Sequence, residues 1–248
     1  MARIELRDAT IRVLDGLSGT ALVNDTPGVN DTNVDINTVN LNTVDADLVP
    51  IGARFTVNTA NHTTVHTVTA RTPADVNGVS TSPTTNIVFT PAWTANAPAN
   101  GAAITFQSNR IDIKIGEGNL KYTENKEYNY MLDRGDLDTV REGDEKPLDV
   151  TLEFVYEFVT TGTSEAITPV DALKQQNSAD EWVTSSSDAC EPYAVDLQIE
   201  HDPPCGTAQT ETTILPDFRY EKLEFSLKDA TISVTGKCNA SKATITRS

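Results

Sequence analysis

His62 and His66 stand four residues apart, the spacing at which a helix would present both to one metal ion. Here they fall in a β-like run and share a strand face with no carboxylate motif beside them, so surface histidines are the expectation. His201 and Asp202 precede Pro203-Pro204-Cys205, which puts a Cys and a His close in sequence. Nothing local would activate or orient such a pair for nucleophilic chemistry. Gly116-Glu117-Gly118 lacks the third glycine and the following helix of a dinucleotide-binding turn. Neither a phosphate loop nor a serine nucleophile elbow occurs. Asp133, Asp136, Asp138, Glu142, Asp144 and Glu145 form an acidic stretch broken by Arg134, Arg141 and Lys146, with spacing unlike a calcium-binding loop. Interleaved signs suit a surface loop that pairs with a neighbouring copy, or one that is merely solvated. The expectation is a protein that is not an enzyme and uses no cofactor or metal.

The elements that carry these residues are of two kinds. Residues 24–107 contain no Glu and no Lys but 17 Thr and 12 Asn, with six Asp and two Arg. The remaining 30 acidic and 17 basic residues lie in 1–23 and 108–248. A shift this sharp marks 24–107 as an inserted module. Its β-branched runs, Arg54-Phe55-Thr56-Val57, Thr64 to Thr69 and Asn86-Ile87-Val88-Phe89, are punctuated by Pro50-Ile51-Gly52, Pro73, Asn77-Gly78, Pro83 and Pro98-Ala99-Asn100-Gly101. Short strands between turns predict a small barrel or sandwich.

The flanking sequence is also mainly β. Leu148, Val150, Leu152, Phe154, Tyr156 and Phe158 alternate with Asp149, Thr151, Glu153, Val155, Glu157 and Val159, the period of a strand with one buried face. Shorter alternations involve Ala9, Ile11 and Val13; Ile111, Ile113 and Ile115; Val195, Leu197 and Ile199; Leu223, Phe225 and Leu227; Ala230, Ile232 and Val234; and Ala243 with Ile245. One helix is predicted, with Thr168 as N-cap, Pro169 at its first position and Asp171 in its first turn, running through Gln176. A second short turn begins near Ser178, and Trp182 is read as core.

The net charge of −17 excludes DNA binding by phosphate neutralisation. No apolar run reaches the ~18 residues of a membrane span, and the first residues lack a secretory h-region, so synthesis in a cytoplasm is expected. Three cysteines, Cys190, Cys205 and Cys238, argue against a disulfide framework.

Several segments, in order, resemble the tail tube (major tail) proteins of tailed bacteriophages. They are Ile113-Lys114-Ile115-Gly116-Glu117-Gly118-Asn119-Leu120, the run from Tyr130 to Glu145, Asp188-Ala189-Cys190-Glu191-Pro192-Tyr193-Ala194-Val195-Asp196, Pro203-Pro204-Cys205-Gly206, Leu215-Pro216-Asp217-Phe218-Arg219-Tyr220 and Gly236-Lys237-Cys238-Asn239-Ala240. The likeness covers residues 1–23 and 108–248. Compact members are expected to pass almost directly from Asp15-Gly16 to Ile111, and 24–107 resembles the small β modules grafted onto many phage structural proteins. The resemblance implies a tail-tube-like β-sandwich or barrel core with one short helix and an inserted all-β domain. It implies a virion protein of the phage tail, made in the host cytoplasm, that partners itself in stacked hexameric rings and meets other tail proteins. DNA would be met only in transit and no membrane is involved. Asp149, Glu153, Glu157, Asp196 and Glu200 become candidates for an acidic lumen, and residues 133–146 for contact between subunits. In a released particle, pairing of Cys190 with Cys205 or of Cys205 with Cys238 stays open. Alternatives are a head–tail joining or decoration protein, or a carbohydrate-binding module using Phe55, Phe89, Trp93 and Phe106.

Overall fold

The period-two runs become strands in the computed structural model, which describes residues 9–42, 49–58, 64–72, 84–93, 97–113, 119–155, 167–188, 190–201 and 209–247. In chain order these hold β1 (Ala9–Leu14), β2 (Gly19–Val23), β3 (Asn33–Leu41), β4 (Arg54–Val57), β5 (His66–Thr72), β6 (Thr84–Thr90), β7 (Ala103–Gln107) and β8 (Arg110–Ile113). There follow β9 (Leu120–Thr123), β10 (Tyr128–Asp133), β11 (Asp136–Glu142), β12 (Leu148–Val155), helix α1 (Pro169–Lys174), β13 (Val195–His201), β14 (Glu211–Ser226), β15 (Thr231–Cys238) and β16 (Thr244–Arg247). The protein is mainly β and divides into two compact units.

One unit comprises Met1–Leu14, Ile111–Ser178 and Ser185–Ser248. Its sheet runs β8-β1-β13-β14-β15-β12-β9, with β16 also paired to β14. On β12, Leu148, Val150, Leu152 and Phe154 are buried, while Asp149, Thr151 and Glu153 are exposed. Burying four such side chains contributes on the order of 8 kcal/mol before chain entropy. The antiparallel register carries the same face across the sheet, through Cys238, Val234 and Ile232 of β15 to Phe218 of β14 and Val195 of β13. Tyr156, Glu157 and Phe158 lie outside the described residues.

β14 is one strand of 16 residues, longer than the Leu223–Leu227 alternation suggests, and it absorbs irregularities at 215–218 and at Tyr220/Lys222. The second of these brings it against Gly236: a Cβ there would collide with the Arg219 carbonyl oxygen and meet Tyr220 Cα at 2.7 Å. The predicted strand positions Leu227 and Ala230 instead form the turn into β15, with Ala230 at φ 51° and Leu227 93% exposed. Turn geometry wins here because the chain must reverse before Thr231.

Helix α1 starts as expected. Thr168 Oγ1 accepts from the Asp171 N–H at 3.1 Å, and Asp171 Oδ2 accepts from the Thr168 N–H at 3.2 Å, a reciprocal box. It ends earlier than expected. Gln175 adopts a left-handed cap at φ 50°, Asn177 follows at φ 53°, and a 3-10 turn occupies Asn177–Ala179. No helix among the described residues is long and apolar enough to cross a membrane.

The other unit comprises Asp15–Arg110 and Ala179–Thr184. Six antiparallel strands close in the order β2-β3-β6-β5-β4-β7. It is wider than the stretch of altered composition, because Leu17, Ala21 and Val23 fill its interior and Val183 joins the same cluster. Gly52 and Gly101 make the expected turns at φ 90° and 83°. Pro73, Asn77-Gly78 and Pro83 lie outside the described residues.

The barrel interior is aromatic. Phe55, Phe89, Trp93 and Phe106 are all at most 3% exposed, with ring centroids of Phe89 and Trp93 4.6 Å apart. His66 is not a surface residue: it is 1% exposed, stacks on Phe55 at 5.3 Å, and its Nδ1–H donates to the Pro91 carbonyl at 2.6 Å. The strand face it shares with Val68 points inward, and one ring hydrogen bond makes that burial tolerable. His62 lies outside the described residues.

Candidate assembly surface

The hairpin β10–β11 stands apart from the main sheet as a two-stranded ribbon. Arg134 at φ 51° and Gly135 at φ 97° form its two-residue turn, the left-handed pair that matches strand twist. The stretch expected as a charged loop over 133–146 is therefore strand through Glu142. Tyr128 pairs with Glu142, Tyr130 with Val140, and Leu132 with Leu137 across a bulge that leaves Asp138 without an opposite residue. These pairs share one face, which also takes Asp138 at the bulge and is apolar but for Asp138 and Glu142. The opposite face carries Asn129, Met131, Asp133, Asp136, Thr139 and Arg141.

Every residue of both strands is exposed. Tyr130 is 62% exposed, Leu132 63% and Leu137 72%. An isolated hairpin is marginal in water, and this one leaves a run of apolar side chains exposed. Of the charged residues singled out from the sequence, Asp138 and Glu142 lie on this face and Asp133, Asp136 and Arg141 on the other, while its apolar residues (Tyr128, Tyr130, Leu132, Leu137 and Val140) were missed. The signal was present in the alternation of Tyr128, Tyr130 and Leu132 ahead of Arg134-Gly135. At the base, Gly143 N–H donates to the Glu127 carbonyl at 2.8 Å and Lys146 pairs with Glu127 at 2.7 Å. That neighbour raises the Lys146 ammonium above its usual range. Glu145 and Lys146 border a shallow depression with Pro147, Asn239, Ala240 and Ser241. Asp144 is exposed beside them.

No family model, curated protein or solved structure matches this chain.

Of the candidate lumen acids, Asp149, Glu153, Asp196 and Glu200 share the sheet face opposite the core, but they do not form one cluster. Asp149 and Glu153 lie on β12, and Asp196 and Glu200 lie on β13, three strand steps or about 14 Å away. The face that carries them is of mixed sign. Asp149 is opposite Lys237, which is opposite Arg219; Thr151 is opposite Lys121; and Lys222 pairs with Glu224 at 2.8 Å. Glu200 accepts from Arg12 Nη1 at 2.5 Å, and Asp112 accepts from Arg12 Nε at 2.9 Å. Asp196 is half-buried and accepts from the Asp217 N–H at 2.9 Å, bracing the irregularity of β14. Burial raises its carboxyl, opposed by the Asp217 and Ser185 hydrogen bonds. Asp149 accepts from Asn125 Nδ2 at 2.9 Å, Glu153 is exposed opposite Ser233, and Glu157 lies outside the described residues.

Among the described residues no group of three or more His, Cys, Asp or Glu is placed to hold a metal ion. Cys238 is buried, and burial with the charges of Asp196 and Asp217 pushes its thiol up to about 12, a form that neither ligates nor attacks. Cys190 is exposed, and Cys205 lies outside the described residues. The four barrel aromatics offered as a sugar-stacking platform are core, so no stacking surface is built from them.

Proposed function

We propose that this chain is a self-assembling structural subunit of a phage tail tube. The observation that carries self-assembly is the hairpin β10–β11, whose apolar face of Tyr128, Tyr130, Leu132, Leu137 and Val140 is exposed throughout. A second copy is the favoured cover, because the flanking charges Asp133, Arg134, Asp136, Asp138, Arg141 and Glu142 carry both signs and can set register between identical chains. The tube assignment itself rests on the ordered resemblance of residues 113–120, 130–145, 188–196, 203–206, 215–220 and 236–240.

In that reading the charged sheet face lines a channel. Asp149 and Glu153 supply exposed acid, and the net charge of −17 keeps DNA from adhering. The barrel unit decorates the assembly. Negative-stain electron microscopy of the concentrated protein, beside tails from the particle, tests the proposal. Stacked rings with an open lumen are expected. Tails built from another protein, with this chain elsewhere in the particle, would replace the tube reading with a head–tail joining or decoration role.

A further inference from the structure

Asp15 is 1% exposed inside the barrel unit. Its carboxylate gathers four N–H donors from three stretches of chain. Oδ1 accepts from the Leu17 N–H at 3.1 Å and the Asn109 backbone N–H at 2.7 Å. Oδ2 accepts from Asn109 Nδ2 at 2.8 Å and from the Val183 N–H at 3.3 Å. Leu17 precedes the first barrel strand, Asn109 follows the last, and Val183 belongs to the short stretch Ala179–Thr184 contributed from far along the sequence. Two backbone bonds close the same junction, from the Gly16 N–H to the Val183 carbonyl at 2.9 Å and from the Asp15 N–H to the Asn109 carbonyl at 3.1 Å.

The charged groups on these stretches are turned away. Arg110 and Asp180 are exposed, and Glu181 is held by the Arg71 guanidinium and by the Ile51 N–H at 3.4 Å. Among the described residues, Asp15 therefore faces amides alone. Burial pushes its carboxyl up to about 6, against the pull of the Leu17, Val183 and Asn109 hydrogen bonds. Meanwhile Asn109 Oδ1 is buried with no hydrogen-bond partner. A neutral carboxyl carries an O–H that needs an acceptor, and a half-turn of the Asn109 amide presents one.

We propose that Asp15 and Asn109 form a proton-operated clasp of the barrel unit, in which ionised Asp15 holds the Val183 amide and neutral Asp15, its Oδ2–H donated to the Oδ1 of a turned Asn109 amide, releases it. The proton moves from solvent to Oδ2. Oδ1 keeps its bonds to Leu17 and Asn109 throughout, and the longest of the four contacts is the one lost.

Amide exchange and carboxyl chemical shifts, read by NMR on the full chain between about pH 5 and pH 7.5, test this. The Asp15 carboxyl should titrate within that range. Val183 protection, corrected for intrinsic exchange, should fall about tenfold on acidification with the same midpoint, as expected for one hydrogen bond. D15N places an amide donor against Asn109 Oδ1 and should show low Val183 protection at every pH, with no step. Val183 protection that stays flat while Asp15 titrates, an Asp15 that does not titrate in the range, or a step that persists in D15N would overturn the clasp. If D15N fails to fold, coincidence or separation of the two wild-type midpoints decides.

Discussion

Single side chains set the acid–base behaviour of this fold, and two aspartates act with opposite sign. Asp15 has its folded pKa raised from 3.8 to about 6, so its stabilising contribution is complete below the unfolded value and is lost as pH rises through about 6. At ~1.4 kcal/mol per pKa unit that is a swing of about 3 kcal/mol for a group this buried. The difference in Tm between D15N and the parent should therefore grow in favour of D15N from pH 4 to pH 7. A difference that is constant over that range would remove Asp15 from the account. Asp171 runs the other way: burial raises its carboxyl, but bonds from Thr168, Asn177 and Gln176 bring it below its ordinary value. Its contribution is present above the usual aspartate range and disappears on acidification. Thr168→Ala removes one half of the capping box and should cost about 1 kcal/mol in urea unfolding. Gly236→Ala drives a methyl into the Arg219 carbonyl and should cost about 1–3 kcal/mol, the scale of an overpacked core, read as a shift of the urea midpoint.

At the scale of elements, the hairpin β10–β11 separates folding from assembly. Its side chains are exposed in the chain taken alone, so changing them should leave unfolding within about 0.5 kcal/mol of the parent. Leu132→Asp combined with Leu137→Asp should nonetheless abolish higher-order species in sedimentation velocity, because it puts two charges on the apolar face at its turn end. Arg141→Glu acts on the opposite face and should weaken assembly without abolishing it. Normal tubes from the double variant would remove the hairpin from the proposed interface. The main sheet behaves differently: β12 alternates core and solvent so strictly that changes at Val150 or Leu152 report on stability and not on association.

For the whole molecule, net charge is the dominant long-range term. Copies carrying −17 each repel, and salt screens that repulsion over roughly 8 Å at physiological ionic strength. If the proposed interface is apolar at its centre, raising salt should promote assembly; association that weakens with salt would assign the contact to the flanking ion pairs instead. Within the proposed tube, Asp149→Lys with Glu153→Lys should slow DNA ejection while leaving particles intact, measured by dye-reported release. Unchanged release from assembled variant particles would count against an acid-lined channel.

Local rules reached far in this sequence. Alternation identified β12, β1 and β13; Thr168-Pro169 with Asp171 identified the start of α1; and composition identified a distinct β-rich segment, because periodicity, capping and turn chemistry act between residues close in sequence. The rest depended on contacts between distant residues. Only the folded barrel recruits Leu17 and Val183, buries His66 among Phe55, Phe89 and Trp93, and brings Asp15 to Asn109 and Val183. Only the sheet register sets Asp149 against Lys237 and ties Glu200 to Arg12, so that acids read as one strip share their face with cations. Charge and polarity are written residue by residue, but which face is covered, and by what, is decided by tertiary pairing.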